Sequence, residues 1–325
     1  MIDDISVVMP AYNSARFVGQ AIESILNQTY PKFEFIIVDD GSTDATLSIA
    51  LSYAERDRRV RVIESNHGGP SRALNAAVEQ AAHDWVAVMH ADDASLPHRL
   101  EMQVKAARER AAVVAWGAFA YHINSVGKIL SLCRAGPTNE EEFHNLQQRG
   151  QAFTILHSTA LLRKDIVEKA GGYDPRFDSA EDLELFERMA SFGPILALAA
   201  PLVLYRMHGS SITMGRFMEH RFLTRYVRAR LRARVLGQRL PTLDEFAEQY
   251  QGCSLVTRFR RFLDDSSRLN YRRAGIALGD GHYMGAAAQG LVSAILNPRY
   301  IFPRLWEQRL SSITRRWLAT KPTVG

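Results

Sequence analysis

The chain has 325 residues, enough for a large domain plus a smaller one, with 46% hydrophobic and 23% charged residues, an ordinary globular balance. Two cysteines, Cys133 and Cys253, exclude a disulfide framework or a zinc cluster, and no apolar run approaches the roughly 20 residues that a membrane span needs. The net charge of +5 is modest but uneven: from Arg216 to Arg239 arginines abound and Glu219 is the only acid.

The chain opens on a predicted strand, Ile5–Met9, so no signal peptide is expected and a reducing, cytoplasmic setting fits. Pro10-Ala11-Tyr12-Asn13-Ser14 leads into a helix over 15–28. A β-branched strand, Phe33–Val38, runs into Asp39-Asp40-Gly41-Ser42-Thr43-Asp44 and a helix over 45–55, which Ser42 or Thr43 can cap. Capping does not explain two carboxylates at a strand exit, where they could accept hydrogen bonds from a nucleobase or ribose. Strand Val60–Glu64 is followed by Gly68-Gly69-Pro70-Ser71 and a helix over 72–80. Strand Trp85–Met89 stops at His90-Ala91-Asp92-Asp93, before a helix over 97–110. Four β–α units in a row predict a mostly parallel sheet flanked by helices. The acid pairs fall at its carboxyl edge, where open α/β sheets bind ligands. Adjacent carboxylates repel unless a cation neutralises them, and Mg²⁺ or Mn²⁺ shares oxygen ligands with substrate phosphates.

The alternation then loosens. Residues 113–123 and 128–132 flank a hairpin turn at Asn124-Ser125-Val126-Gly127. A helix over 140–149 precedes Phe153–Leu162, read as a strand beside the sheet. A short helix, 164–170, stops at Gly171-Gly172. A helix over 181–191 precedes two short strands, Ile195–Ala199 and Val203–Arg206, with Pro201 between them. Beyond about 215 the texture is helical. Arg221, Arg225, Arg228 and Arg232 share one helical face, with Leu223, Val227 and Leu231 beside it. Segments 267–278 and 282–296 read as a helical hairpin. The expected division is 1–214 for the α/β domain and 215–325 for the helical region.

Four segments in order carry a specific likeness: Val7-Val8-Met9-Pro10-Ala11-Tyr12-Asn13, Val38-Asp39-Asp40-Gly41-Ser42-Thr43-Asp44, Ala91-Asp92-Asp93 and Ala180-Glu181-Asp182. Over roughly residues 3–210 the chain resembles glycosyltransferase family 2, with the GT-A fold. The resemblance implies an enzyme that transfers a sugar, with inversion, from a nucleotide sugar, often UDP-linked, to a hydroxyl of a saccharide or lipid-linked saccharide. Cell-surface polysaccharide or glycolipid synthesis would be the setting, with Mn²⁺ or Mg²⁺ as cofactor. Carried over by position, Pro10, Ala11 and Tyr12 would form the loop over the base. Asp39 would meet the base, with Asp40 close by, and Asp92 would face ribose or sugar. Asp93 would hold the metal on the diphosphate and Asp182 would be the catalytic base. His90 stands where many relatives carry a further acid.

Other roles stay open at this point. Arg72, at a helix N-terminus after the glycine turn, reads equally as a phosphate ligand or a surface residue. His208, in Tyr205-Arg206-Met207-His208, reads as a metal or phosphate ligand or as a structural histidine. His157, Gly172 and Glu181 are acceptor-side candidates; a buried histidine, a helix C-cap and a helix-start acid explain them too. A nicotinamide oxidoreductase is disfavoured, because no Gly-x-Gly-x-x-Gly follows the first strand. A non-catalytic nucleotide-sugar binder, with His90 as a mark of decay, is countered by Asp93 and Asp182. The basic segment suits an anionic membrane surface on the inner face better than nucleic acid, since no base-stacking or groove-reading motif accompanies it.

Overall fold

The computed structural model describes residues 3–305. Its elements run β1 (Ile5–Ala11), α1 (Val18–Leu26), β2 (Phe33–Asp39), α2 (Thr46–Ala54), β3 (Val60–Glu64), α3 (Pro70–Gln80), β4 (Trp85–Val88), β5 (Ala94–Ser95), α4 (Arg99–Glu109) and β6 (Ala115–Ile123). Then follow β7 (Ile129–Cys133), α5 (Glu140–Gln148), β8 (Leu161–Arg163), α6 (Lys164–Lys169), α7 (Glu181–Met189), β9 (Ile195–Arg206) and α8 (Ile212–Gly215). The last helices are α9 (Phe217–Val235), α10 (Leu243–Gln251), α11 (Leu255–Gly279), α12 (Tyr283–Leu296) and α13 (Pro298–Leu305). The part of the expected helical region beyond 305 lies outside the described residues.

The sheet order is β3-β2-β1-β4-β8-β6-β9-β5, with β7 paired to β6. β3, β2, β1 and β4 are mutually parallel, and β8 turns the sheet antiparallel against both β4 and β6. β1 and β2 are apolar on both faces because helices cover both, and Val7, Val8, Ile36 and Ile37 are fully buried. α1 buries Val18, Ala21, Ile22 and Ile25, an i, i+3, i+4, i+7 stripe. Each such aliphatic side chain contributes about 1.5–3 kcal/mol by leaving water. From β1 the chain passes to β2 on one side and reaches β4 on the other, so the carboxyl ends of β1 and β4 form a topological switch point.

Two expectations are corrected. Residues 153–162 are not one strand: His157–Thr159 form a 3-10 turn and the strand is confined to Leu161–Arg163. The Thr159 hydroxyl donates to Leu156 O at 2.7 Å and accepts from Ala118 N at 3.0 Å, a side-chain alternative to the ladder. Conversely, 195–206 is a single strand through Pro201, since proline suits an extended chain and removes only one ladder donor.

The chain divides into two compact units. The first holds residues up to His122, 132–206 and 222–241. Within it α9 buries Leu223, Tyr226, Val227 and Leu231. Arg230 pairs with Glu184 at 3.0 Å and Glu187 at 2.9 Å, and Arg234 pairs with Glu187 at 2.7 Å. These arginines therefore brace α7 from behind.

The second unit holds 123–131, 207–221 and, among the described residues, 242–305. Its centre is the α11–α12 hairpin, sewn by reciprocal bonds in which each of Ser267 and Ser293 donates its hydroxyl to the other's carbonyl. Arg221 pairs with Asp264 and Asp265, at 3.2 and 2.8 Å. Leu255, Val256, Phe259 and Phe262 at the start of α11 stay exposed, with Arg258 and Arg260 among them. Among the described residues no helix is long and apolar enough to cross a membrane.

Candidate active site

The loops leaving β1, β2, β3 and β4 meet at the carboxyl edge of the sheet. The first two are laced together: Asn13 N donates to Ser42 Oγ, Thr43 N to Asn13 Oδ1, and Ser14 N to Thr46 Oγ1. Ser42 and Thr43 therefore do not cap α2. The N-cap is Ala45, and Asp44 just before it accepts from Thr46 N at 2.9 Å. Asp39 is buried at the end of β2. Its Oδ2 accepts from Ser42 N at 2.9 Å, while its Oδ1 has no hydrogen-bond partner among the described residues. A buried acceptor left open is costly unless a ligand donor meets it. Asp40 differs: its oxygens accept from Gly68 N at 2.8 Å and Gly69 N at 2.9 Å, and His67 Nδ1 lies 2.9 Å away. It shapes the glycine loop. Gly69 has φ +88°, and a Cβ there would meet Asp178 Oδ1 at 2.5 Å. Tyr12 and His67 stack at the mouth of this edge, with ring centroids 4.1 Å apart and planes at 20°.

The turn after β4 is the most heavily buttressed. Asp93 is 1% exposed. Its Oδ1 accepts from Arg206 N at 2.7 Å and its Oδ2 from the Ser158 hydroxyl. Burial, then the Asp92 charge, pushes the Asp93 carboxyl well above the usual range. Arg206 also donates to Asp92 O and Gln20 Oε1. Beneath the turn lies fully buried Arg99, which donates to Val88 O at 2.7 Å, Ala160 O at 3.2 Å and Ser95 Oγ at 3.2 Å. Burial lowers its guanidinium to about 9.

The 3-10 turn brings Ser158 to Asp93 and His157 to His90. His90 Nε2 and His157 Nδ1 are 3.2 Å apart, and His157 Nε2 is 2.8 Å from Tyr173 Oη. His157 Nδ1 is also 3.9 Å from Glu181 Oε1. Burial depresses both imidazoles and raises the Tyr173 hydroxyl. Tyr173 is seated by Asn75, which donates to Tyr173 O at 2.7 Å and accepts from Tyr173 N at 2.8 Å. Gly172 makes that approach possible: a Cβ there would lie 2.8 Å from Asn75 Oδ1.

Glu181 and Asp182 open α7. Ala180 before them holds a left-handed backbone, φ 60°, which costs a residue with a side chain about 1–2 kcal/mol. Such strain clusters where a side chain must be aimed. Burial raises the Asp182 carboxyl to about 6; burial, then Asp182, raises Glu181 to about 8. Ser71 Oγ donates to Phe177 O at 2.6 Å, tying the start of α3 to the approach to α7.

The expected residues thus gather unequally. Pro10 and Ala11 end β1, with Tyr12 just after them, beside Asp39 and Asp40; Arg72 is exposed on the first turn of α3; Asp92 and Asp93 adjoin His90, which meets His157, with Glu181 3.9 Å beyond it. His208 belongs to the second unit, where its Nδ1 is 2.8 Å from Ser210 Oγ. A cavity of about 560 Å³, lined by Arg134, Glu142 and Arg149 among others, contains none of them. Sequence reading missed Ser158, Tyr173, Arg206 and His67. His90, Asp92 and Asp93 each offer one ligand atom, all within 4.8 Å of one another.

Comparison with known proteins bears on the family and the fold. The family described as glycosyl transferase family 2 matches residues 6–171. The O-antigen biosynthesis glycosyltransferase WbnJ of Escherichia coli is 30% identical over 252 residues, 76% of this chain and 97% of that protein. An uncharacterized glycosyltransferase of Rickettsia bellii is 26% identical over 64% of this chain, a match that spans only 29% of its own length. Among solved structures, S. aureus TarS 1-349 in complex with UDP superposes with a TM-score of 0.56 at 18% identity, covering 91% of both chains. The mannosyltransferase PcManGT from Pyrobaculum calidifontis, in complex with GDP-Man and Mn²⁺, gives 0.50 at 19% identity, covering 97% of this chain and 83% of that one. These likenesses establish a GT-A type fold.

Proposed function

Because the chain belongs to glycosyl transferase family 2 and is a glycosyltransferase, we propose that it moves a sugar from a nucleoside-diphosphate sugar, UDP-linked, to a hydroxyl acceptor with inversion. The observation that carries this reading is the clustering of Asp93, His90, His157 and Glu181, a 3.2 Å histidine pair flanked by separations of 3.9 Å on either side, which brings the cation-ready turn close to the start of α7. The uncommitted Asp39 Oδ1 supports a nucleobase N–H at the end of β2. The likeness to UDP- and GDP-mannose-bound structures supports the donor class.

The donor set fits a divalent cation. Each Asp93 oxygen has one protein donor, which leaves a lone pair, and Asp92 and His90 add two further donors close by. When bound, the cation would supply Lewis-acid charge to the diphosphate. The protein's own groups do the rest. Asp182, poised near neutrality by burial, takes the proton of the acceptor hydroxyl as it attacks. Glu181 keeps its proton below about pH 8 and so adds no second charge beside the base. Backbone N–H groups at the start of α3, with Arg72, face the leaving phosphate. A single displacement from an α-linked donor gives a β-linked product.

The acceptor reading is a saccharide or lipid-linked saccharide in surface polysaccharide or glycolipid synthesis, met at an anionic membrane surface. The ion pairs of Arg221, Arg230 and Arg234 take those residues out of such a surface. The support lies instead in exposed Leu255, Phe259 and Phe262, one helical stripe with Arg258 and Arg260 beside it. Sedimentation with anionic vesicles at low salt tests this; no binding there rejects the membrane seat.

The donor reading is tested by calorimetry of UDP and GDP with Mn²⁺, followed by a panel of their sugars. Saturable binding that Asp93→Asn abolishes is expected. Binding indifferent to Asp93→Asn overturns the site, and an α-linked product by NMR overturns inversion.

A further inference from the structure

His90 lies between two different neighbours. On one side its Nε2 is 3.2 Å from His157 Nδ1; on the other its Nδ1 is 3.9 Å from Asp93 Oδ2. The first distance is a hydrogen bond. The second is too long for one, yet lies within the span of two ligands each about 2.1 Å from a common ion. Resting on the cation reading above, we infer that His90 is a nitrogen ligand of that cation, its Nδ1 lone pair aimed at Asp92 and Asp93 by the hydrogen bond from its Nε2–H to His157, so that the site favours a transition-metal ion over Mg²⁺.

A bound cation selects this direction. A neutral imidazole has one N–H and one lone pair. If His90 donates from Nε2, His157 accepts at Nδ1 and donates from Nε2 to Tyr173 Oη, 2.8 Å away. The His90 Nδ1 lone pair then faces the carboxylates, an arrangement that a cation between them makes favourable. In the reverse direction Tyr173 donates to His157, His157 donates to His90, and the His90 Nδ1–H faces Asp93 across 3.9 Å, leaving no lone pair for an ion. The chain is held rigidly. The His157 side chain is 3% exposed and its ring meets Phe186 edge-on, with centroids 6.0 Å apart, while Asn75 fixes both backbone groups of Tyr173. A ligand imidazole whose other nitrogen is oriented by a buried partner is how proteins fix a tautomer at a metal. Imidazole suits transition ions, whereas Mg²⁺ prefers an all-oxygen set. The histidine in place of an acid thus alters the chemistry of the site without dismantling it.

The test is pulsed EPR of Mn²⁺ bound to the full chain with UDP present. ¹⁴N modulation of the bound Mn²⁺ is expected, changing to a ¹⁵N pattern when histidine is ¹⁵N-labelled, which requires no substitution. His90→Gln and His90→Asp should lose the nitrogen coupling, and His90→Asp should let Mg²⁺ displace Mn²⁺ at a concentration lowered by roughly tenfold or more. Tyr173→Phe, which removes the last acceptor of the chain, should keep the coupling and weaken Mn²⁺ binding roughly tenfold. Bound Mn²⁺ that Asp93→Asn releases but that shows no nitrogen coupling overturns the inference and leaves the cation reading standing. Coupling that survives His90→Gln assigns the nitrogen elsewhere and also overturns it. Mn²⁺ that binds nowhere, or binds regardless of Asp93, overturns the cation reading itself.

Discussion

The burial of Asp182 makes a quantitative demand on the pH profile. A base works only when ionised. With its carboxyl at about 6, Asp182 is roughly one-tenth ionised at pH 5 and nine-tenths at pH 7. Nucleoside diphosphate release under kcat/KM conditions should therefore rise roughly tenfold between those values and level off above 7. An aspartate at its ordinary 3.8 would be more than about nine-tenths ionised at pH 5 and give a nearly flat profile. Asp182→Asn keeps the volume, removes the proton acceptor and should lower turnover roughly 10²–10⁴-fold with little change in donor affinity. The assay is release of UDP or GDP from the accepted donor at constant ionic strength, from pH 5 to 8, at fixed Mn²⁺. The same burial has a stability signature of defined sign. Asp182 and Glu181 both hold protons more tightly folded than unfolded, so stability of the metal-free protein falls as pH climbs from the ordinary carboxylate range through about 6 and 8. A rate flat from pH 5 to 7, or an Asp182→Asn enzyme near parental turnover, would refute the assignment of the base.

Gly69→Ala places a Cβ 2.5 Å from Asp178 Oδ1 in a backbone of φ +88°, so we expect a loss of about 1–3 kcal/mol in thermal melts together with weaker donor binding; an unchanged melting temperature contradicts the contact. Arg230→Ala removes the cation that Glu184 and Glu187 share, leaving Arg188 on the first and Arg234 on the second, and should cost about 1–3 kcal/mol in denaturant titrations, whereas Arg232→Ala on the exposed face should change stability by less than about 0.5 kcal/mol. Equal effects of the two would mean that α9 is not braced as described.

Much of the site was legible because it is local. Asp39 ends its own apolar strand, and Asp92-Asp93 comes within one short turn of another, so both strand exits could be read from nearby residues. Pro70 after Gly69 marked the start of α3 in the same way. What escaped is what long-range packing decides. The strand expected over 153–162 gave way to a turn because Thr159 bonds across to Ala118, 41 positions away. His90 meets His157 at a separation of 67 residues. Nor could charge count alone separate arginines that line a surface from Arg230, whose partners lie on another helix. Asp40 illustrates the limit most sharply: beside Asp39 in sequence, it turns to a neighbouring loop and spends both oxygens there.

The Tyr12–His67 stack has a kinetic consequence. For a nucleobase that takes the Tyr12 face now covered by His67, binding exchanges one ring for another, 4.1 Å away. Base–aromatic stacking contributes about 1–3 kcal/mol, so the net gain on binding is the difference between two stacks rather than the whole of one. On our proposal the same exchange would run backwards after transfer, trading donor affinity for speed of product release, a step that limits turnover in many enzymes. His67→Ala should bind UDP more tightly, by about tenfold in Kd, and show stronger product inhibition in progress curves; looser binding in that variant would mean that the imidazole holds the nucleotide instead of yielding to it.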